Sequence, residues 1–178
     1  MLLANIRIWR LELQAVVPGK KVKLATDGAC IGNPGPGGWA CLLRFGNHVG
    51  EIYGWEGHTT NNRMELQAVI QGLSALKEPC IVTVATDSQY VQRGITEWLS
   101  KWKANGWRKS KTTKGSRTVL NQDLWEQLDK SLASHTIHWR WVKGHADDED
   151  NLCCDALANR AAKQQISSEG IARSRVRE

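Results

Sequence analysis

The feature that most restricts this chain is a change of hydrophobic period near Asn62: strand patterning precedes it, and helix and strand patterning alternate after it. Residues 22–30, "VKLATDGAC", alternate for several positions and predict a strand that ends in the turn-rich "IGNPGPGG". Two further strands are expected over 38–45 and 49–55, joined through Gly46 and Asn47 into an antiparallel meander. From Asn62 onward Met64, Leu66, Ala68, Val69, Gly72, Leu73 and Leu76 recur at helical spacing, and Pro79 closes the element. A buried strand, "CIVTVAT", comes next. Ser88 then predicts the N-cap of a helix through "QYVQRG", and a separate helix over 95–105 puts Trp98, Leu99 and Trp102 on one stripe. Helix over 121–134, strand over 136–142 and helix over 151–165 complete the pattern.

This order predicts an α/β domain with a five-stranded mixed sheet, three antiparallel strands then two parallel ones, flanked by helices. Right-handed crossovers place the later strands beside the first and parallel to it. That arrangement has a chemical consequence. Asp27 ends the first strand in "TDG" and Asp87 holds the equivalent place in "VTVATDS", so parallel neighbours bring both carboxylates to one sheet edge. Glu65 sits on the first turn of the helix opened by "TTNNRME", and Asp155 starts the last helix. Four carboxylates can therefore meet. Like charges a few ångströms apart raise one another's pKa unless a cation neutralises them. Oxygen ligands without imidazole or thiolate at the centre suit Mg²⁺ or Mn²⁺, and the chemistry best served is two-metal phosphodiester hydrolysis.

The stretch "GHADDEDNLCCD" offers a competing zinc reading on His145, Cys153 and Cys154. One His and two adjacent Cys do not supply the spaced ligand pairs of a tetrahedral site, and neighbouring thiols leave a helix on different sides.

Composition narrows the partner. In 178 residues, 24 Lys and Arg face 18 Asp and Glu, a net charge of +6 that favours a polyanion such as nucleic acid. Five cysteines, an odd number with no C-x-x-C pair, do not make a disulfide framework and point to the cytoplasm. The start, "MLLANIRIWRLELQ", interleaves apolar residues with charges, so neither a signal peptide nor a membrane span is expected.

Four stretches carry a resemblance: "TDGACIGNPGPGGW", "TTNNRMELQA", "ATDSQYVQRGITEW" and "WVKGHADDEDNLCCDALA". Across residues 22–162 the chain closely resembles type 1 ribonuclease H of the bacterial kind. The resemblance implies a ribonuclease H-like fold that cuts the RNA strand of an RNA–DNA hybrid and leaves 3′-hydroxyl and 5′-phosphate ends. It implies a metal set of Asp27, Glu65, Asp87 and Asp155 for Mg²⁺, with Mn²⁺ as a substitute. A mobile His145 would assist proton transfer or product departure, and Asn151 would hold its loop and the attacking water. It further implies that Cys30, Asn33, Asn61 and Gln89 lie along the minor groove and that Thr60 holds a DNA phosphate. The run "KWKANGWRKSKTTKGSR" resembles the family's basic protrusion, which implies substrate contact by Lys101, Trp102, Lys103 and Lys109. Periodicity explains Trp98, Trp102, Trp125, Trp139 and Trp141 as core or partial core, so base stacking is not assigned to them.

The expected organisation is an extension of unassigned role over 1–20, a catalytic domain over 21–166 with the protrusion near 101–117, and a polar tail over 167–178, as a monomer. The chain departs from the family pattern in its extra acids, Asp147 and Asp148, and in Leu152-Cys153. A shifted pH or metal optimum is the expected result. A hybrid-binding module without activity would gain nothing from crowding carboxylates against phosphates. A same-fold nuclease or strand-transfer enzyme with another substrate fits the "TTNNRME" and basic-run pattern less well.

Overall fold

The computed structural model describes residues 19–108, 118–143 and 148–168. His145, Lys109, most of the expected protrusion and the outer parts of both terminal segments lie outside the described residues. The elements in chain order are β1 (Lys20–Cys30), β2 (Gly35–Phe45), β3 (His48–Thr59), α1 (Asn61–Ser74), β4 (Cys80–Thr86), α2 (Gln89–Arg93), a π-helical turn (Gly94–Trp98), α3 (Leu99–Ala104), α4 (Gln122–Ala133), β5 (Thr136–Trp141) and α5 (Glu149–Gln164). The five strands form one sheet in the order β3-β2-β1-β4-β5. β1, β2 and β3 pair antiparallel, while β4 is parallel to β1 and β5 to β4, as expected.

Alternation along the strands divides the interior into two layers. Val22 and Leu24 of β1, with Val82 and Val84 of β4, join the α1 residues Leu66, Val69, Ile70 and Leu73 and the α4 residues Leu124, Trp125 and Leu128 in the larger core. Ala25, Ala40, Leu42 and Ala85 face the other way and meet Cys154 and Ala158 of α5. Small residues on that side let α5 lie close to the sheet. Full burial of one large side chain such as Trp125 or Leu128 contributes about 1.5–3 kcal/mol, so the α1 and α4 side carries most of the stability.

The structure shifts several boundaries. β2 starts at Gly35, three residues earlier than the glycine-rich run suggests, with a bulge between Gly35 and Gly37 where it pairs with β3. β3 continues to Thr59 because β2 pairs with it through Glu56 and Thr59, not because "EGHT" alternates. The two helices expected either side of Gly94 are one continuous helical run. A Cβ on Gly94 would fall 1.8 Å from the Trp125 ring, so a glycine lets the widened turn press against α4. The last helix begins at Glu149, two residues before the expected start, because Asp148 caps it by accepting from the N–H groups of Asp150 and Asn151 at 3.1 and 3.0 Å. No helix among the described residues is long and apolar enough to cross a membrane.

Candidate active site

Pairing of β1 with β4 runs to Ala25 opposite Ala85, and two residues further on lie Asp27 and Asp87. β4 ends at Thr86, so Asp87 leaves the sheet where β1 continues beside it. Alternation puts Asp27 on the α5 side of β1. Gly28, next along, faces α1, and a Cβ there would fall 2.4 Å from the Glu65 backbone nitrogen. Without a side chain at that point, α1 lies against β1 and presents Glu65 beside Asp27. α5 brings Asp155 from the opposite side.

Asp27, Glu65, Asp87 and Asp155 line one polar hollow of about 410 Å³, together with Gly28, Asn61, Asn62, Ser88, Gln89 and Tyr90. Four elements thus deliver four acids to one place. They face a common space without converging on a point: no three His, Cys, Asp or Glu side chains among the described residues are drawn together tightly enough to hold an ion as arranged. Each of three carboxylates has its own local partner. Asp27 Oδ1 accepts the Gly28 N–H at 2.7 Å. Glu65 accepts from Asn61 Nδ2 at 2.9 Å through Oε1 and from the Ser88 hydroxyl through Oε2. Asp155 Oδ1 accepts from Asn159 Nδ2 at 2.9 Å.

Burial, then the charge of Asp87, pushes the pKa of Asp27 up to about 7, with smaller contributions from Asp155 and Glu65 against the pull of the Gly28 N–H. Glu65 also rises to about 7, chiefly through burial and then Asp87, although Ser88 and Asn61 hold its charged form. Among the described residues, no Lys or Arg lines the hollow. An all-oxygen donor set with unrelieved negative charge fits a hard divalent cation.

Asn151 is buried, and its side chain donates to the Thr26 carbonyl at 3.3 Å, tying the first turn of α5 to the strand position before Asp27. Cys154 is also buried and its thiol donates to the Ala25 carbonyl at 3.4 Å. The acids of the α5 start have structural partners. Asp148 pairs with Arg140 as well as capping the helix, and Asp150 accepts Arg44 at 2.7 and 2.5 Å. Asp148 and Asp150 therefore serve a helix N-terminus and two arginines.

Of the expected substrate positions, Asn61 and Gln89 line the hollow. Thr60 is the N-cap residue of α1 but makes no side-chain cap. Asn33 Oδ1 accepts the Asn61 N–H at 3.1 Å instead, so the α1 start is capped from the loop after β1 and not by its own Asn pair. Cys30 directs its thiol to the Thr59 and Gly35 carbonyls at 3.4 and 3.6 Å, and Gln89 is exposed at the start of α2. Lys101 is exposed, and Lys103 pairs with Asp129 at 2.8 Å. Trp102 packs 5.5 Å from both Trp98 and Trp125, and lines a shallow aromatic hollow of about 250 Å³ with Tyr90, Trp98 and Leu120.

Two contributors escaped the sequence reading. Ser88 was legible as a cap, and it does accept the Val91 N–H at 3.1 Å, but its hydroxyl also holds Glu65 across 23 positions. Asn159 carries a usable signal, since it stands four residues after Asp155 on the same helix.

The sequence profile of the RNase H family matches residues 19–163. The chain is 56 % identical over 146 residues to the ribonuclease H of Halorhodospira halophila, covering 82 % of this chain and 95 % of that protein. It is 54 % identical over 152 residues to the ribonuclease H of Bordetella bronchiseptica, covering 85 % and 96 %. Among solved structures, LC9-RNase H1, a type 1 RNase H with the type 2 active-site motif, superposes with a TM-score of 0.78 at 30 % identity, over 89 % of this chain and 79 % of that one. With that sheet order and that acidic hollow, the chain belongs to the ribonuclease H family, in its bacterial form. It is a nuclease.

Proposed function

We propose that this protein is a divalent-metal-dependent endoribonuclease that hydrolyses the RNA strand of RNA–DNA hybrids, with the acidic hollow as its active centre. The observation that carries the reading is the meeting of Asp27, Glu65, Asp87 and Asp155 on one hollow that no Lys or Arg among the described residues lines. Those four side chains would hold Mg²⁺, with Mn²⁺ as a substitute. When bound, two such ions supply positive charge to both the attacking and the leaving oxygen of an in-line displacement, consistent with 5′-phosphate and 3′-hydroxyl ends.

The chain's own residues prepare the site. Ser88 and Asn61 fix the Glu65 carboxylate, and Asn159 fixes that of Asp155. Asn151 anchors α5 to β1, and its position beside Asp27 suits the further role of orienting the attacking water. His145 serves as the proton carrier, since an imidazole titrates near neutrality.

Distinguishing RNA from DNA requires contact with 2′-hydroxyls in the wide minor groove. Cys30, Asn33, Asn61 and Gln89 provide short polar groups for that purpose, and Thr60 meets a phosphate of the DNA strand. Lys101, Lys103 and Lys109, with the edge of Trp102, grip the DNA strand beyond the hollow. The enzyme acts as a cytoplasmic monomer, with 21–166 as its catalytic domain.

The test is a substrate panel with end-labelled RNA–DNA hybrid, single-stranded RNA and duplex DNA, followed by chemical identification of the new ends. Cutting confined to the hybrid RNA strand, with 5′-phosphate products, is expected. Equal cutting of duplex DNA would replace this reading with that of a general nuclease of the same fold.

A further inference from the structure

A parallel sheet is ordinarily covered on both faces. Here α5 packs over β1, β2 and β3. Beyond its N-terminus, on the same side, the sheet bears a basic hollow of about 550 Å³ lined by Lys21, Val22, Lys23, Arg44, Gly46, Ile81, Thr83 and His138. The strand register explains its shape. Lys23 stands opposite Arg44 on β2 and opposite Thr83 on β4, and Thr83 stands opposite His138 on β5. The four positions form a row across four strands, about 14 Å long at about 4.8 Å per strand spacing. Lys21 is in the next row, opposite Ile81. From Lys23 to Asp27 is four residues along β1, or about 13 Å, so this hollow is separate from the acidic one.

Charge identifies the occupant. Among the described residues, no carboxylate lines the hollow. Arg44 is held by Asp150, but among the described residues neither Lys21 nor Lys23 has an ion-pair partner, and both are exposed. The chain's own outer segments do not complement this surface: residues 1–18 carry Arg7 and Arg10 against Glu12, and residues 169–178 carry Arg173, Arg175 and Arg177 against Glu169 and Glu178. A second copy, at net charge +6, complements it no better. A nucleic-acid strand does, with a negatively charged phosphate at every nucleotide. The Thr83 hydroxyl opposite Lys23 and the Ile81 side chain opposite Lys21 suit the sugar-phosphate edge of such a strand.

We propose that the basic hollow around Lys21 and Lys23 is a second nucleic-acid site, taking the phosphate backbone of a strand outside the catalytic hollow. It rests on the nucleic-acid part of the function proposed above and not on the chemistry of the four carboxylates. The full chain, native and with Lys21→Gln and Lys23→Gln combined, is titrated into a labelled single-stranded DNA of about 30 nucleotides in chelator, at several salt concentrations. Each phosphate contact on a single strand contributes about 0.7 to the slope of log affinity against log salt. The double variant is expected to bind about fivefold more weakly with a slope shallower by about 1.4, while kcat on saturating short hybrid stays native. An unchanged affinity and slope would overturn the proposal. So would a loss of affinity for poly-glutamate with DNA binding intact, since that marks an acidic protein as the partner. Hybrid cleavage by the same native preparation is scored separately, so a failure of the nuclease reading does not register as a failure of this site.

Discussion

Asn159 Nδ2 donates to Asp155 at both ends of one residue, to the side-chain Oδ1 at 2.9 Å and to the backbone carbonyl at 3.0 Å. The amide is half-buried one turn further along α5. It fixes the rotamer of a carboxylate that has no other partner among the hydrogen bonds described, and whose position decides how closely the four acids approach.

Replacing Asn159 with Leu should leave KM for hybrid unchanged while raising the Mg²⁺ concentration needed for half-maximal activity about tenfold, the size seen when a residue orienting a metal ligand is lost. Calorimetric titration of Mn²⁺ without substrate should show the same weakening. Equal metal affinity in the variant would reduce the Asn159 contact to a helix-surface bond.

Asp27 and Glu65 predict an inverted pH dependence for the metal-free protein. Below about pH 4 both acids are neutral in the folded and unfolded states, with no effect on stability. Between about 4 and 7 the unfolded chain loses those protons and the folded chain retains them, so stability falls as pH rises; above about 7 the penalty is constant. Asp27→Asn should therefore stabilise the chelated protein at pH 8 by on the order of 2 kcal/mol and give little change at pH 4. Mg²⁺ should raise the Tm of the native protein more than that of the variant. Thermal melts at both pH values, with and without Mg²⁺, check this.

Asp148 behaves in the opposite sense. Its burial would raise its pKa, but Arg140 and the N–H groups at the α5 start outweigh that and hold it below the usual carboxylate value. The stability it contributes is present above the unfolded pKa of about 3.9 and is lost as pH falls through the lower folded value. Asp148→Ala should cost about 1 kcal/mol at neutral pH, the usual cost of a lost cap, with the gap to native closing in acid denaturation below about pH 3. Its Mg²⁺ requirement should match the native one, because the acid serves the helix and Arg140.

Neutralising Lys101, Lys103 and Lys109 to Gln should raise KM and flatten its salt dependence with kcat spared. Lys101 should give a larger single effect than Lys103, whose ammonium is already shared with Asp129. Steady-state kinetics across a salt series measures both, and an unaltered slope in the triple variant would remove the basic run from the substrate surface.

Much of this architecture was legible in the sequence because hydrophobic period is a local property. The helix from Asn61, the buried strand "CIVTVAT" and the Asp that follows it all announce themselves within a few residues. What stayed hidden depends on contacts between distant segments. Nothing local shows that Asn33 caps α1 or that the Ser88 hydroxyl reaches Glu65. The glycine-rich run after Cys30 reads as a turn, yet β2 begins inside it, since pairing with β1 and β3 decides its state. Gly94 reads as a helix end, yet the helical run passes through it against Trp125. The pairing of Asp148 with Arg140 on β5 and of Asp150 with Arg44 on β2 is likewise set by how the strands and α5 pack.

The most direct measurement of the central claim is cleavage of an end-labelled RNA–DNA hybrid by the native protein and by Asp27→Asn, each with Mg²⁺ and with chelator. The native protein should cut the RNA strand only when the cation is present, and the variant, still folded by its melting curve, should be slower by about a thousandfold or more. Cutting at the native rate by Asp27→Asn would contradict the assignment of the acidic hollow as the active centre.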